Sequence, residues 1–396
     1  MEKEHQAVTT FRKYLRIPTV HPNVNYDKCV SFLTNLADEL ELPFQIIEIV
    51  EGKPLVVITW IGTNPKLPSL LLNSHMDVVP VFPNNWKYGP FDAFKDENGN
   101  IYARGTQDMK CVGIQYIETI RKYIKEGLRF KRTIHILFVP DEEIGGEQGM
   151  GIFVKTPEFL KLNVGFALDE GMANESSELY IFYAERPIWY VSVICNGNTG
   201  HGSLLHENTA AEKLQRVINK FLEYREKEKR RLHSNPDFKV GNVTTINLTM
   251  VQGGIQMNVV PPEISVGFDI RLSIDVDHEE FHRMIESWCK EAGEGVRLEF
   301  RKKNPYVPPT PLDDSNPWWI EFKSAIEKME LKWKPMISTG SGDIRYIREV
   351  GIPAIGFSPM INTPVLMHDH DEFLNEKIFL FGLDVYYNVI KNLASL

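Results

Sequence analysis

The stretch LLLNSHMDVVP at residues 70–80 constrains the fold of this chain more than any other segment. A run of leucines followed by polar residues predicts a buried strand that ends in functional side chains. His75 and Asp77 are two residues apart, and on a strand this spacing points both side chains to the same face. An imidazole beside a carboxylate suits a metal ion such as zinc. An isolated His-x-Asp is more often an ordinary surface pair, so the assignment depends on ligands elsewhere in the chain.

A second candidate ligand is Asp108, which lies in the glycine-containing turn ARGTQDMK at residues 103–110. The turn leads into an amphipathic pattern that predicts a helix over residues 111–124. A carboxylate at this point has two interpretations, a metal ligand or the N-cap of the helix, and the residue alone does not decide between them.

Further carboxylates follow two more predicted strands. The strand predicted at 133–139 leads directly into Glu142 and Glu143, and the strand predicted at 164–168 leads into Glu170. Adjacent residues point in different directions, so one glutamate of the pair can bind metal while the other faces substrate. The alternation of strand, turn and helix predicts an α/β domain with its ligands at the carboxyl edge of the sheet.

The pattern changes after residue 185. Alternating apolar and polar residues predict strands, and they are separated by two long helical patterns in the order strand–helix–strand–strand–helix–strand. This order is typical of a ferredoxin-like α+β domain. We therefore predict an insertion at 186–304 within a larger domain formed by 1–185 plus 305–396, with the proline-rich stretch NPYVPPTP as the return connection.

Composition narrows the class of protein. The 396 residues carry a net charge of −9 and no basic run interleaved with aromatic residues, so we expect no nucleic-acid partner. No apolar run reaches the length of a transmembrane helix, and the first 20 residues show no apolar core of a signal peptide. Four scattered cysteines without a C-x-x-C pair indicate free thiols in a reducing compartment. We expect a cytoplasmic protein with no membrane partner.

One motif match is expected to be unrelated to metal binding. His278 and His282 complete an H-E-x-x-H pattern, which on a helix is the zinc motif of many proteases. However, the apolar stripe of this predicted helix falls between the two histidines, and Asp277 is placed as its N-cap. We therefore interpret both histidines as residues at the solvent edge of an ordinary helix.

The candidate ligands in the rest of the chain are too many for one tetrahedral zinc and suit two metal ions that share a carboxylate. They are His75, Asp77, Asp108, Glu142, Glu143, Glu170 and His368. At this point the motifs HMDVVP, GTQDMK, PDEEIGG, LDEG, TGHGS and LMHDHDE resemble, in order, those of the M20 metallopeptidase family. The stretches FVPDEE, NTAAEKL, DDSNPWW, GFSPM and TPVLMHDHDE are similar to members of that family that hydrolyse N-acyl-L-amino acids. The resemblance extends over essentially the whole chain.

The resemblance implies two Zn2+ ions per subunit, with Co2+ or Mn2+ as possible substitutes, and a role for each matching residue. The ligands of one zinc would be His75, Asp108 and Glu170, and those of the other Asp108, Glu143 and His368. Asp77 would orient His75, Glu142 would be the general base, and His201 of the partner subunit would stabilise the oxyanion. The residues matching positions that bind the substrate carboxylate are Asn258, Arg271 and Arg345.

The expectation is therefore a zinc-binding α/β/α catalytic domain with an inserted ferredoxin-like α+β domain that serves as lid and dimerisation domain. The expected activity is hydrolysis of N-acyl-L-amino acids by a homodimeric amidohydrolase. A dipeptidase of the same family and a non-catalytic binding paralogue are the alternatives. The sequence leaves open the preferred acyl chain and side chain, the physiological substrate and the identity of the metal.

Overall fold

The computed structural model describes residues 4–396, which form two compact units. The first contains the chain up to Tyr183 together with Thr310–Met336 and Gly342–Leu396, and the second contains Ala184–Pro309 and Ile337–Ser341. The short segment Ile337–Ser341 lies outside the insertion limits of 186–304 that the sequence suggests. It packs closely within the second unit, since a Cβ on Gly241 would lie 2.3 Å from the carbonyl oxygen of Ile337.

The regular elements are numbered here in chain order. The helices are α1 (Gln6–Leu15), α2 (Asp27–Glu39), α3 (Lys110–Lys125), α4 (Met150–Phe153), α5 (Pro157–Lys161), α6 (Ala210–Ser234), α7 (His278–Ala292), α8 (Pro317–Lys328), α9 (Ile344–Glu349) and α10 (Glu376–Ser395). The strands are β1 (Phe44–Val50), β2 (Lys53–Trp60), β3 (Ser69–His75), β4 (Phe94–Lys95), β5 (Asn100–Tyr102), β6 (Ile134–Val139), β7 (Val164–Asp169), β8 (Leu179–Glu185), β9 (Ile188–Asn196), β10 (Gly200–His201), β11 (Thr245–Gly253), β12 (Val259–Val260), β13 (Glu263–Arg271), β14 (Val296–Lys303), β15 (Trp333–Ser338), β16 (Ala354–Phe357) and β17 (Phe373–Asn375).

The largest sheet has the strand order β1-β2-β6-β3-β7-β16-β8-β15. Strands β6, β3, β7 and β16 run parallel at its centre, so their carboxyl ends share one edge. Every residue of β3 and β6 is buried, as expected for parallel strands covered on both faces.

Helices cover both faces of this sheet. Leu70 and Leu72 of β3 belong to a core that includes residues of α1, α2, α3, α8 and α10. Leu71 belongs to a separate core with residues of α4, α5 and α9. Because successive side chains of a strand point to opposite faces, the two cores are the two sides of an α/β/α layer structure. The α/β/α prediction is confirmed.

The second unit contains β9, α6, β11, β13, α7 and β14 in that chain order, and its four long strands form an antiparallel sheet ordered β11-β13-β9-β14. This is the predicted ferredoxin-like arrangement. The apolar faces of both helices pack on the sheet, for example Phe221 of α6 and Phe281 of α7. Asp277 is the N-cap of α7, as predicted, and accepts a hydrogen bond from the Glu280 backbone at 2.8 Å.

Along the described residues 4–396, none of the helices combines the length and the apolar character that a membrane crossing requires.

Candidate metal centre

The candidate ligands of the first unit lie where the parallel strands end. His75 is the last residue of β3, Glu142 and Glu143 lie in the turn after β6, and Glu170 follows β7 directly. In the sheet, His75 is in register with Val139. These side chains therefore lie at the carboxyl edge of the parallel strands, which is where open α/β sheets bind their ligands.

His75 is buried and has carboxylates close to one ring nitrogen. Its Nε2 lies 2.8 Å from Asp108 Oδ1 and 3.4 Å from Glu170 Oε2. Its Nδ1 lies 2.9 Å from the backbone carbonyl oxygen of Asp77, which fixes the tautomer that leaves Nε2 directed at the carboxylates. Ligands about 2.0–2.1 Å from a tetrahedral zinc are about 3.4 Å from one another, so these separations are close to those of a ligand set.

Asp108 connects two histidines. The N-cap of α3 is Met109, so the N-cap interpretation of Asp108 is wrong. The two carboxylate oxygens of Asp108 diverge instead, with Oδ1 beside His75 and Oδ2 at 3.2 Å from His368 Nε2. His368 in turn lies 3.1 Å from Glu143 Oε2.

These contacts form two groups of potential ligands that share Asp108. In each group the ligand atoms lie within 4.8 Å of one another. The groups consist of His75, Asp108 and Glu170, and of Asp108, Glu143 and His368. Imidazole nitrogens combined with carboxylate oxygens suit zinc and other borderline divalent ions.

The electrostatics of the buried carboxylates also fit bound cations. Burial, followed by the charge of Asp108, raises the pKa of Glu143 to about 7 and that of Glu170 well above its ordinary value. Burial and then Glu170 raise the pKa of Glu142 in the same way. Burial would also raise the pKa of Asp108, but hydrogen bonds from His368 and His75 outweigh it and hold that pKa below the usual range. Divalent cations would offset the repulsion between these buried carboxylates. In addition, Glu143 Oε1 is buried without a hydrogen-bond partner, so it is available to a cation. The residues present therefore fit a metal centre.

Asp77 contacts more groups than the sequence suggested. Its carboxylate lies 3.7 Å from His75 Nδ1, farther than its own carbonyl oxygen, so the backbone rather than the carboxylate is the nearer partner of the ring. The carboxylate accepts hydrogen bonds from the backbone N–H groups of Glu142 at 3.2 Å and Glu143 at 3.0 Å. Asp77 therefore holds the turn that carries the two glutamates.

Glu372 is a functional candidate that sequence reasoning missed, although it ends the quoted LMHDHDE motif. It is fully buried and accepts hydrogen bonds from Arg104 Nη1 at 2.8 Å, from Thr106 Oγ1 at 3.1 Å and from the Gln107 backbone at 2.6 Å. The segment before Asp108 is therefore tied to the segment after His368, which fixes the distance between two candidate ligands.

Three other candidates lie in the second unit. His201 is exposed at the end of β10, and its Nδ1 is 2.8 Å from Ser203 Oγ. Asn258 is also exposed, and its carbonyl oxygen accepts a hydrogen bond from Gly202 next to His201. Arg271 forms a two-pronged ion pair with Asp269, with N–O distances of 2.7 and 3.0 Å.

Arg345 lies in α9 of the first unit and is buried. Its guanidinium donates hydrogen bonds to the carbonyl oxygen of Gly145, in the turn after Glu143, and to that of Gly342 at 3.2 Å. The structure therefore brings Arg345 to the same sheet edge as the candidate ligands.

Comparison with known proteins identifies the class. The model of peptidase family M20/M25/M40 matches residues 71–392, so the chain belongs to this family. Among curated proteins it is 54% identical to aminoacylase-1 of Mus musculus and 53% identical to that of Homo sapiens, covering 100% of this chain and 97% of each relative. It is 43% identical to aminoacylase-1 of Dictyostelium discoideum over 100% of this chain and 99% of that one. The full-length resemblance is thus to aminoacylase-1 proteins in particular.

Solved structures of the family share the fold at low sequence identity. An M20 metallo-carboxypeptidase from Sulfolobus solfataricus superimposes with a TM-score of 0.76 at 18% identity, covering 99% of this chain and 100% of that one. A tripeptidase from Staphylococcus aureus gives a TM-score of 0.75 at 20% identity, covering 99% and 98%.

Proposed function

We propose that this chain is a metal-dependent amidohydrolase that converts N-acyl-L-amino acids into a carboxylic acid and a free L-amino acid. The proposal is carried by the two ligand groups that share Asp108, in a chain that resembles aminoacylase-1 along its whole length. The predicted roles of the site residues, the number and type of metal ions and the dimer are parts of this proposal.

Two Zn2+ ions per subunit are the proposed cofactors, with Co2+ or Mn2+ as substitutes. One ion would be held by His75, Asp108 and Glu170, and the other by Asp108, Glu143 and His368. When bound, the pair of ions supplies Lewis acidity, which lowers the pKa of water and polarises the amide carbonyl.

Glu142 is the proposed general base. It is next to a proposed ligand but belongs to neither ligand group, so its carboxylate is free to accept a proton. It removes the proton from the attacking water and returns it to the amine nitrogen as the C–N bond breaks, which leaves the acid and the amino acid. Proton transfer of this kind is worth about 10²–10⁴-fold in rate.

Binding of the substrate carboxylate is assigned to Arg345, Arg271 and Asn258. A guanidinium is always charged and matches a carboxylate with two parallel hydrogen bonds. His201 of the partner subunit is the proposed donor to the oxyanion.

The proposed homodimer is supported by the surface of the second unit. β11 is an edge strand of its sheet, and unpaired strand edges favour association. Large apolar side chains are exposed near His201 and along the stretch from β11 to β12, which is unusual for a monomer surface. They are Leu204, Leu205, Met250, Val251, Ile255 and Met257.

A cytoplasmic location is also proposed. All four cysteines, Cys29, Cys111, Cys195 and Cys289, are free and buried. Free thiols are typical of reducing compartments.

The proposal is tested with one substrate panel and one metal analysis. Protein purified without chelator should contain about two equivalents of divalent metal per subunit. It should hydrolyse N-acetyl-L-amino acids with a kcat/KM at least about tenfold above that for dipeptides, and it should leave the N-acetyl-D-amino acids intact. A preference for dipeptides would make the protein a dipeptidase, and the absence of metal and turnover would favour a binding protein.

A further inference from the structure

The segment before α2 pairs with the segment after β3. Val78 donates a hydrogen bond to the carbonyl oxygen of Thr19 at 2.9 Å, and His21 donates one to that of Val78 at 3.1 Å. The buried ammonium of Lys110 donates to the carbonyl oxygen of Ile17 at 2.7 Å. The backbone that leads up to His21, together with the N–H of His21 itself, is therefore held by three hydrogen bonds, which restricts where its imidazole can lie.

That place is against Asp77. His21 Nε2 lies 2.9 Å from Asp77 Oδ2, and the two side chains are 10% and 0% exposed. The same oxygen accepts the backbone N–H of Glu143 at 3.0 Å, while Oδ1 accepts that of Glu142 at 3.2 Å. A buried carboxylate with three N–H partners is confined in position far more than one with a single partner.

A further cluster that could hold a metal cation consists of His21, Asp77 and Asp141. However, a lysine ammonium already occupies the position of a cation there. The ammonium of Lys53 contacts Asp141 Oδ2, and Tyr26 donates its hydroxyl to Asp141 Oδ1 at 2.9 Å. A metal ion here would have to displace Lys53. The cluster is therefore a support beneath the turn that carries the glutamates rather than a third metal site.

We propose that His21 is a positioning residue for the metal centre: through its hydrogen bond it holds Asp77, and Asp77 holds the backbone of Glu142 and Glu143. His21 does not contact the ligand groups itself, so its effect passes through Asp77. The proposal rests on the function proposed above, because it assigns Glu142 and Glu143 to the chemistry. The hydrogen bond to Asp77 also raises the pKa of His21, because the carboxylate stabilises the protonated imidazolium.

The test compares three substitutions of His21. Leu cannot donate a hydrogen bond. The amide nitrogen of Gln can reach the position of Nε2, whereas that of Asn reaches only the position of Nδ1. Residues that hold ligands in place typically contribute 10–100-fold in metal affinity or activity, so His21→Leu and His21→Asn should each weaken binding of one Zn2+ by about tenfold and lower kcat by about tenfold. KM should stay unchanged, and His21→Gln should restore most of both losses.

The matched control is His135→Leu. His135 is also buried and also makes two hydrogen bonds, to Thr59 Oγ1 at 2.9 Å and to the Leu162 carbonyl at 3.2 Å. The His135→Leu variant should therefore lose thermal stability, while its Zn2+ affinity and kcat stay at wild-type values.

Zn2+ affinity is measured by competition with a chromophoric chelator, and kcat and KM with an N-acetyl-L-amino acid. If His21→Leu does not fold, the comparison of Asn with Gln carries the test. The role of His21 would be overturned if His21→Asn and His21→Gln had the same Zn2+ affinity and kcat. It would also be overturned if all three variants kept the wild-type Zn2+ affinity and kcat. Either result would leave the proposed function intact. A wild-type protein without Zn2+ binding or turnover would instead overturn the proposed function and, with it, the role of His21.

Discussion

Glu142 and Glu143 are adjacent residues with different surroundings. Glu143 lies 3.1 Å from His368, in a ligand group, whereas Glu142 lies in neither group and has Glu170 as its principal charged neighbour. At this scale, we propose different roles for two identical side chains because adjacent positions of the 3-10 turn Glu142–Ile144 have different neighbours.

The first residue-scale prediction follows from this difference. Glu142→Gln should retain about two metal equivalents and lose about 10²–10⁴-fold in kcat, since only proton transfer is removed. Glu143→Gln should lose metal as well as turnover. Elemental analysis and steady-state kinetics on both variants check the assignment. If Glu142→Gln loses metal and Glu143→Gln keeps it, the roles are reversed.

The sequence could indicate His75, Glu143 and Glu170 because they follow apolar strands, and strand ends can be recognised locally. Asp108 and His368 lie in turns away from these strand ends, and the resemblance to the family was needed to place them in the ligand set. The sequence could not indicate what holds them. His21 and Asp77 are 56 residues apart, and Arg104 and Glu372 are 268 residues apart. Such partners follow from the packing of distant segments, for which neither periodicity nor spacing gives a signal.

At the scale of elements, β6 carries a buried histidine, His135, that belongs to neither ligand group. His135 faces Thr59 of β2 in the register of the sheet. Burial lowers the pKa of His135 to about 4, because the charged imidazolium would lose its hydration. The folded protein therefore keeps this ring neutral at pH values where the unfolded chain protonates it.

This gives a prediction for stability against pH. The folded pKa lies below the unfolded value of 6.5, so the unfolded state binds more protons and stability falls as pH drops from 6.5 towards 4. Between pH 7.5 and 5 the contribution of His135 is a loss of about 2 kcal/mol in the free energy of unfolding. Urea titrations of metal-free protein at both pH values should show that His135→Leu loses about 2 kcal/mol less unfolding free energy between pH 7.5 and 5 than the wild-type protein does. An identical pH dependence in both proteins would contradict the neutral buried ring.

Elements with a strong local pattern were predictable to within a few residues. The helix predicted at 111–124 is Lys110–Lys125, and the strand predicted at 133–139 is Ile134–Val139. The alternation at residues 242–251 also predicts a strand, but β11 begins only at Thr245, because residues 240–242 form a short 3-10 turn that packs on Ile337. Local pattern determines an element, whereas a contact distant in sequence determines where it starts.

At the scale of the whole molecule, the proposed active site requires two chains. His201 is exposed in the second unit, beside large apolar side chains such as Leu205 that are also exposed. In a two-fold dimer, the commonest symmetric assembly, each chain gives its partner the same contact that it receives. A histidine contributed in this way would complete the partner's site and not its own.

Complementation between two inactive variants tests this sharing. Glu142→Ala and His201→Ala are each expected to have little activity as homodimers. When the two are denatured together and refolded, half of the dimers should be mixed, and one site in each mixed dimer pairs an intact Glu142 with an intact His201. About a quarter of wild-type activity should therefore return.

The control is each variant refolded alone, which should stay inactive, and mass spectrometry of the intact dimers measures how many are mixed. A His201 that acts within its own chain could not be rescued, because every site of a mixed dimer would still lack one of the two residues. Mixed dimers without recovered activity would therefore place His201 in its own subunit's site or outside the chemistry. Recovery that rises in proportion to the mixed fraction would instead require that the histidine crosses to the partner subunit.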